Sequence, residues 1–439
     1  MKKIVLLLSV LAINFTAISC DDYLDIEPEG KIIPKSTDDY RKVLTMAYSK
    51  YPQHKSLTAI RTDELVLDEY SSDFISYREI AMWKDVNPDQ ATTQFQWEAF
   101  YSVIFYTNQI INEGNQSMKD SPEKKQILAE AYALRSYAYF DLINLFAKPY
   151  NQSTANTDKG VPLILTLDLE KAVAPSSIQV IYDQISSDLE QSSKLMTINQ
   201  QELGTNYRFS KAAILALKAR ISLYQKDWEN AIINADLALA IKNDLVDLNS
   251  TPTIPNLYSS KEGIMALDNN FISALKYMSA ASSELIDSYD SKNDLRFGLY
   301  FEKKYGEYKV LKGGSSDYRS SFRVSELYLI KAEAFLKTNK LNDAKLILNQ
   351  FIKNRYTPTG FESLKTKLSE MNATSLFEFI LDERNREFAL EGHRWFDLRR
   401  ANQKEIIHYI SGKEYILQKN DIRYTIEIPQ QAKLNNPNL

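Results

Sequence analysis

The chain has 439 residues, a formal net charge of −4, 12 glycines and a single cysteine. An acidic balance argues against a nucleic-acid partner, and scarce glycine argues against all-β folds and glycine-rich phosphate loops. One cysteine closes no intramolecular disulfide, and the length has room for two or three domains.

Lys2 and Lys3 precede an apolar run from Ile4 to Phe15, interrupted by Ser9 and Asn14, and small residues lead into Cys20. A positive head, a short apolar stretch and small residues before the cut are the layout of a secretory signal peptide. The run is shorter than the ~20 residues a spanning helix needs. Cutting after Ser19 removes two lysines and no acid, which takes the mature chain to −6. A lone cysteine directly after such a leader resembles the lipidated residue of a bacterial lipoprotein, with Ala17 standing where leucine is commonest. Each acyl CH₂ buried in the membrane contributes roughly 0.8 kcal/mol of anchoring. The plainer alternative is an ordinary leader with a free thiol at Cys20. Asp21-Asp22-Tyr23-Leu24-Asp25 resembles the surface-export signal of Bacteroidetes lipoproteins; read as charge alone, it is a solvated tether.

Residues 21–40 read as extended, with Pro28, Gly30 and Pro34. A helix starts at Thr37: Asp38 and Asp39 suit its N-terminus, and Val43, Leu44, Ala47 and Tyr48 form an apolar stripe. Residues 51–94 lack a period and predict an irregular region with short elements. Helices are predicted over 95–113, from Pro122 to about Ala147, and over 176–194. Prolines and Gly160 make 148–175 a loop, with a short strand at Pro162–Leu167. A helix pair over 210–240 turns at Lys226-Asp227, and a second pair runs through 322–352. Small residues recur in both where antiparallel helices must approach closely. The spacing resembles tetratricopeptide units of ~34 residues. The long insertion between the pairs rules out a simple tandem array. A continuous helix is predicted over Glu378–Arg400, and a short strand at Tyr424–Ile428 in the tail. The organisation is therefore a leader (1–19), a tether (20–36), a helical region (37–242), a looped insertion (243–320) and a second helical region (321–439), in an all-α fold class with minor strands.

Glu383, Glu387 and Glu391 repeat every four residues. Two carboxylates flanking a cleft are what glycoside hydrolysis needs. Glu and Arg at i, i+3 and i, i+4 also make ordinary helix ion pairs, and that is the preferred reading here. His54, His393 and His408 show no zinc spacing. No G-x-S-x-G, phosphate-loop or dinucleotide fingerprint occurs. No catalytic residue, transition metal or cofactor is expected; calcium on scattered carboxylates stays open. Sugar rings stack on Trp and Tyr, and loops on rigid scaffolds often carry binding. Trp97, Trp228 and Trp395 fall in regular helical patterns and read as core. Trp83 falls outside them, near Tyr70, Phe74, Tyr77 and Arg78. A second group in the insertion holds Tyr300, Tyr305, Tyr308 and Tyr318, beside Phe301. The two groups are expected to meet as a ligand surface; the alternative is that they pack loops onto helices.

The run from Asp382 to Arg400, DERNREFALEGHRWFDLRR, closely resembles the most recognisable stretch of the SusD/RagB family. Other landmarks follow in family order: Trp97-Glu98-Ala99-Phe100-Tyr101 with Ile104 and Asn108; Glu130 to Arg135 with Tyr139-Phe140-Asp141-Leu142; Gly160-Val161-Pro162-Leu163; Ile185 with Asp188-Leu189; Arg208 to Tyr224; Arg323 to Leu327 with Lys331 to Ala334; and Ile428-Pro429-Gln430 with Asn436-Pro437-Asn438. They cover nearly the whole mature chain. The resemblance implies a helical core of tetratricopeptide-like pairs with a looped face. It also implies a non-enzymatic, lipid-anchored protein on the outer-membrane surface. Such a protein captures oligosaccharide, sometimes peptide, and hands it to a SusC-like TonB-dependent transporter. The chain is shorter than many members, so the ligand-bearing insertion is expected to be reduced. A surface glycan hydrolase, a peptide-binding protein and a tetratricopeptide adaptor are the competing readings.

Overall fold

The structure, a computed structural model, describes residues 34–168 and 172–439. The leader, Cys20 and all but the last residues of the tether lie outside the described residues.

Ser36 and Asp39 form a reciprocal capping box that starts α1 (Thr37–Ser49). The aperiodic stretch that follows holds α2 (His54–Ile60), β1 (Leu65–Leu67) and α3 (Phe74–Ala81). α4 (Trp97–Gln109) continues into a π-helical turn, and α5 (Pro122–Phe146), capped by Ser121 with proline in its first turn, is buried over most of its length. β2 (Lys159–Pro162) pairs antiparallel with β3 (Pro175–Ser177). The strand expected at Pro162–Leu167 therefore lies earlier in the chain. The reason is local: side chains of Asn108, Asn112 and Tyr139 take up the carbonyls of residues 164–166, so that backbone needs no strand partner.

α6 (Ile178–Leu195), α7 (Lys211–Gln225) and α8 (Trp228–Ile241) follow. Lys226, at φ +62°, closes α7, and the Asp227 side chain caps α8. The insertion then carries β4 (Gly263–Met265), α9 (Ser273–Met278), β5 (Ser279–Ala281), α10 (Ser283–Asp287), α11 (Leu295–Tyr300), β6 (Phe301–Lys304), β7 (Glu307–Val310) and β8 (Phe322–Arg323). β5 pairs with β1, β8 with β4, and β6 with β7, all antiparallel. The chain ends with α12 (Val324–Lys337), α13 (Leu341–Ile352), α14 (Pro358–Glu370), α15 (Ala373–Glu387), α16 (Arg394–Ala401), the hairpin β9 (Ile406–Ile410) and β10 (Lys413–Leu417), and α17 (Gln430–Asn435).

The two helix pairs, remote in sequence, stack side by side: α7 on α8, α8 on α12, α12 on α13. Ala213, Ala216 and Ala219 of α7 and Ala231, Ala235 and Ala238 of α8 are buried, and small side chains there let the helices approach closely. Arg220 of α7 grips Glu326 of α12 through two bonds of 2.7 and 2.6 Å. α5 packs between α4 and α6, and the main core runs from Tyr40 to Ala432.

Two expectations are corrected. The helix predicted over Glu378–Arg400 breaks after Glu387, and α16 starts afresh at Arg394. Between them Leu390 and Gly392 take φ +61° and +77°. A Cβ on Gly392 would sit 2.5 Å from Cβ of Lys55, so only glycine lets this turn lie on α2. Leu390 is a bulky residue in the left-handed region, held there by its N–H donating to Glu64 Oε1 at 2.7 Å. In the tail, Tyr424–Ile428 is not a strand: a 3₁₀ turn at Ile422–Tyr424 leads into extended chain whose Ile426 N–H bonds Leu145 at the end of α5. The strands lie upstream, in β9 and β10.

The glutamate row is structural, but mostly not through pairs within its own helix. Glu383 pairs with Arg386 three residues on (2.7 Å), and with Arg296 (2.8 Å). Glu387 meets Arg296 (3.0 Å), Arg355 (2.8 Å) and Arg323. Glu391 meets Lys312 (2.6 Å) and Arg323 (2.9 Å), and Glu262 meets Arg355 (2.6 Å). All are buried. Burial alone would raise these carboxyls, but Arg355 and Arg323 outweigh it at Glu387 and hold it well below the usual carboxylate range.

Glu387→Ala would remove the carboxylate shared by Arg296, Arg323 and Arg355, leave the buried cluster with one uncompensated positive charge, and is expected to cost about 3–5 kcal/mol in urea unfolding at pH 7. Because the folded-state value at Glu387 is depressed, its contribution is full above the unfolded value near 4.3 and disappears as pH falls through the folded one. The gap between wild type and variant should therefore narrow in acid. Glu64 behaves oppositely: burial pushes it up to about 7. Between about 4.3 and 7 the folded state holds the extra proton, so stability falls as pH rises through that window. Glu64→Gln is expected to stabilise by about 3 kcal/mol at pH 8 and to change little at pH 4; equal effects at both would contradict the assignment.

Candidate binding cleft

The nine aromatic and basic candidates do not form one surface. Tyr70 and Tyr305 are exposed, at 100% and 90%. Phe74, Arg78, Tyr308 and Tyr318 are half-buried, and Tyr77 and Tyr300 are buried. Tyr300 lies under the Lys312 ammonium, 4.0 Å from its ring. Trp83, expected to offer a stacking face, is 1% exposed. Its Nε1 donates to the Arg61 carbonyl at 3.0 Å and its ring stacks on His408 at 4.4 Å. It packs the irregular region onto the hairpin β9–β10; Trp97 and Trp395, which read as core, are buried. Trp228 is half-buried.

The β1–β5 pairing, with β5 lying against β7, brings the segments that carry Tyr70 and Tyr305 to one side of the molecule. Tyr305 and Gly306, at φ +54° and +87°, make the tight turn of the β6–β7 hairpin, which explains the exposure of Tyr305. Tyr277 (76% exposed) precedes β5, and Tyr409 (70%) stands on β9, whose turn Glu69 caps by accepting from the Ser411 N–H and hydroxyl. Sequence reasoning missed both, because nothing in their flanks distinguishes an outward tyrosine from an inward one.

The concave site lies elsewhere. A cleft of about 1100 Å³ opens between the segment after α3, the loop after α5, the α7–α8 turn, the C-terminal end of α16 and residues 420–427. The Trp83 edge reaches its wall. Behind that wall, Arg61 holds Asp85 by two bonds of 2.6 and 2.9 Å and lies over the Trp395 ring at 4.8 Å. Trp395 in turn stacks on Tyr424 at 5.1 Å, and Tyr424 lines the cleft. Tyr150 presents a half-buried ring, fixed edge-on to Tyr182 and donating to Gln179 at 3.0 Å. Asn151, Asn402 and Gln403 add amides. The Tyr150 ring beside amides and charged groups suits a polyhydroxylated ligand. Each carboxylate lining the cleft is ion-paired: Asp85 with Arg61, Asp158 with Lys148, Asp421 with Arg423 and Glu427 with Lys433. A second groove of about 470 Å³, between α4 and α17, is mostly apolar.

Burial disfavours the charged form of all three histidines: it lowers His54, His408 and, most strongly, His393, which stacks on Phe388. Among the described residues no group of three or more His, Cys, Asp or Glu is placed to hold a metal ion.

Comparison with known proteins decides the family. Residues 22–223 match a family described as "Starch-binding associating with outer membrane", and residues 277–439 match the SusD family. The chain belongs to the SusD/RagB family. A SusD-like protein of Formosa agariphila is 24% identical over 90% of both chains, and one of Bacteroides ovatus is 21% identical over 91% of this chain and 82% of the relative. Among solved structures, a SusD superfamily protein from Bacteroides fragilis aligns over 93% of this chain and all of its own, with a TM-score of 0.79 at 20% identity. A SusD-like carbohydrate-binding protein from Bacteroides vulgatus aligns over 92% and 98%, with a TM-score of 0.72 at 19% identity. The tetratricopeptide-like helical scaffold is thus the SusD fold.

Because Trp83 is core, Trp83→Ala should lower stability by about 3–5 kcal/mol, whereas Tyr305→Ala should stay within roughly 0.5 kcal/mol. Thermal melting of the two variants separates a packed ring from an exposed one; a Trp83→Ala melt equal to wild type would remove it from the core.

Proposed function

We propose that this SusD-family protein is a surface lipoprotein of the outer membrane that captures oligosaccharide and passes it to a SusC-like TonB-dependent transporter, without catalysis and without a cofactor. The observation that carries the reading is the match of both parts of the chain to SusD families, together with an open cleft whose lining combines the half-buried Tyr150 ring with amides. Carbohydrate binding by the related Bacteroides vulgatus protein supports the ligand class, and the family description supports the membrane. The leader followed by Cys20 supports lipid anchoring, and the acidic tether supports export to the surface. The transporter partner rests on the family alone. The non-enzymatic reading is supported by the state of the carboxylates. Glu383, Glu387 and Glu391, the row that offered candidate carboxylates for a hydrolase, are buried and paired with guanidinium and ammonium groups.

The test is calorimetry of the mature chain against neutral and acidic oligosaccharides and against peptides, with reducing ends assayed in the same samples. The expected result is saturable sugar binding with no new reducing ends. New reducing ends would overturn the non-enzymatic reading, and binding of peptides alone would overturn the ligand class.

A further inference from the structure

We infer that the large cleft holds an anion subsite centred on Arg399, so that its ligand is a sugar carrying a carboxylate or sulfate group. The inference rests on the oligosaccharide reading and narrows it.

Every other buried arginine among the described residues has a carboxylate at 2.6–2.9 Å. Arg399, 3% exposed, has none. Its Nε donates to the Tyr424 carbonyl at 2.9 Å and its Nη2 to the Ala147 carbonyl. Nη1 has no protein partner among the described residues, and Arg399 lines the cleft. Burial draws its guanidinium down to about 10, with no carboxylate to oppose the shift, whereas Glu333 and Asp397 raise the adjacent Arg400. A cation withdrawn from water without a counter-ion is costly, and the two carbonyls offset only part of that cost.

A purely structural account would make Arg399 a clamp that ties the end of α5 to residues 424 and onward. The rest of the lining argues for more. Lys226, exposed at the α7–α8 turn, borders the same cleft and forms no ion pair among the described residues. The cleft's carboxylates, by contrast, are all neutralised. The cleft therefore offers two cations without counter-ions and no unpaired acid. A guanidinium that lines the cleft with Nη1 unbonded among the described residues matches the planar geometry of an oxyanion, and a flexible ammonium adds a point charge. Tyr150, half-buried, supplies a ring surface in the same cleft.

The test compares three probes by calorimetry on the mature protein at low and at 0.5 M salt: trigalacturonate, the neutral galactotriose of the same linkage, and a κ-carrageenan oligosaccharide carrying sulfate. The expected result is that at least one anionic probe binds ten-fold or more tighter than galactotriose, and that salt erodes the difference. The carboxylate and sulfate arms show which anion is taken. Arg399→Gln should abolish the preference, with a melting curve confirming that it folds. Lys226→Glu, at an exposed position, should reduce the preference at least five-fold whether or not the first variant folds. Equal affinity for charged and neutral probes, or a preference untouched by Lys226→Glu, would overturn the subsite and leave the oligosaccharide reading standing. Binding of no sugar, neutral or charged, would overturn both.

Discussion

The constraint on which the rest of this molecule depends is the buried row Glu383, Glu387 and Glu391. Its partners come from separate places: Arg296 from α11, Lys312 from the chain after β7, Arg323 from β8 and Arg355 from the chain after α13. With Glu262, Asp294 and Arg386 the cluster reaches five carboxylates and five cations, so it is neutral as a whole. Buried ion pairs gain little net stability over well-packed apolar groups, because both charges lose their water. Their effect here is on specificity: any register in which the insertion slid along α15 would strand at least one charge. The insertion, almost without long elements of its own, is thereby fixed onto the helical scaffold.

The same stretch of chain also shapes the cleft. Downstream of Glu387 the helix breaks, and the turn through Leu390 and Gly392 redirects the chain by pressing on Lys55 and bonding Glu64. α16 then leaves in a new direction. Trp395 stacks on Tyr424, and Arg399 takes the Tyr424 carbonyl, so the tail becomes a wall of the cleft. One segment therefore serves two surfaces: its first half anchors the insertion and its second half, turned by a strained residue and a glycine, builds the opening. Had the helix continued, α16 could not have met Tyr424.

How much of this was legible in the sequence follows from the range of the forces involved. The long helices and both helix pairs could be read because caps, small residues and 3.6-residue periods act locally. The break at 388–393 could not, since its cause is a contact with α2 more than 300 residues away, and Gly392 alone is a weak signal. The strand β1 owes its existence to β5, and the loop around residue 164 to side chains of α4 and α5. The site was less legible still. Counting aromatics found Trp83 and Tyr300 but could not tell a ring that seals a loop from one that faces a ligand. Arg399 stands beside Arg400 and five residues from Arg394 in one motif; only the distribution of carboxylates in space sets it apart.

That distribution explains how a chain with an excess of acids can present a cationic cleft. Most carboxylates that approach buried arginines are consumed inside the protein, and those at the cleft rim are tied to Lys148, Arg423 and Lys433. The surplus acids elsewhere on the surface act on a distant anion only through solvent, where the interaction is largely screened beyond about 8 Å at physiological ionic strength. Arg399 sits beneath the surface, where the field of a charge is stronger and less screened. An arriving anion thus meets the acidic character of the whole chain weakly and the unpaired guanidinium at close range, and selection between charged and neutral sugars falls to the cleft floor.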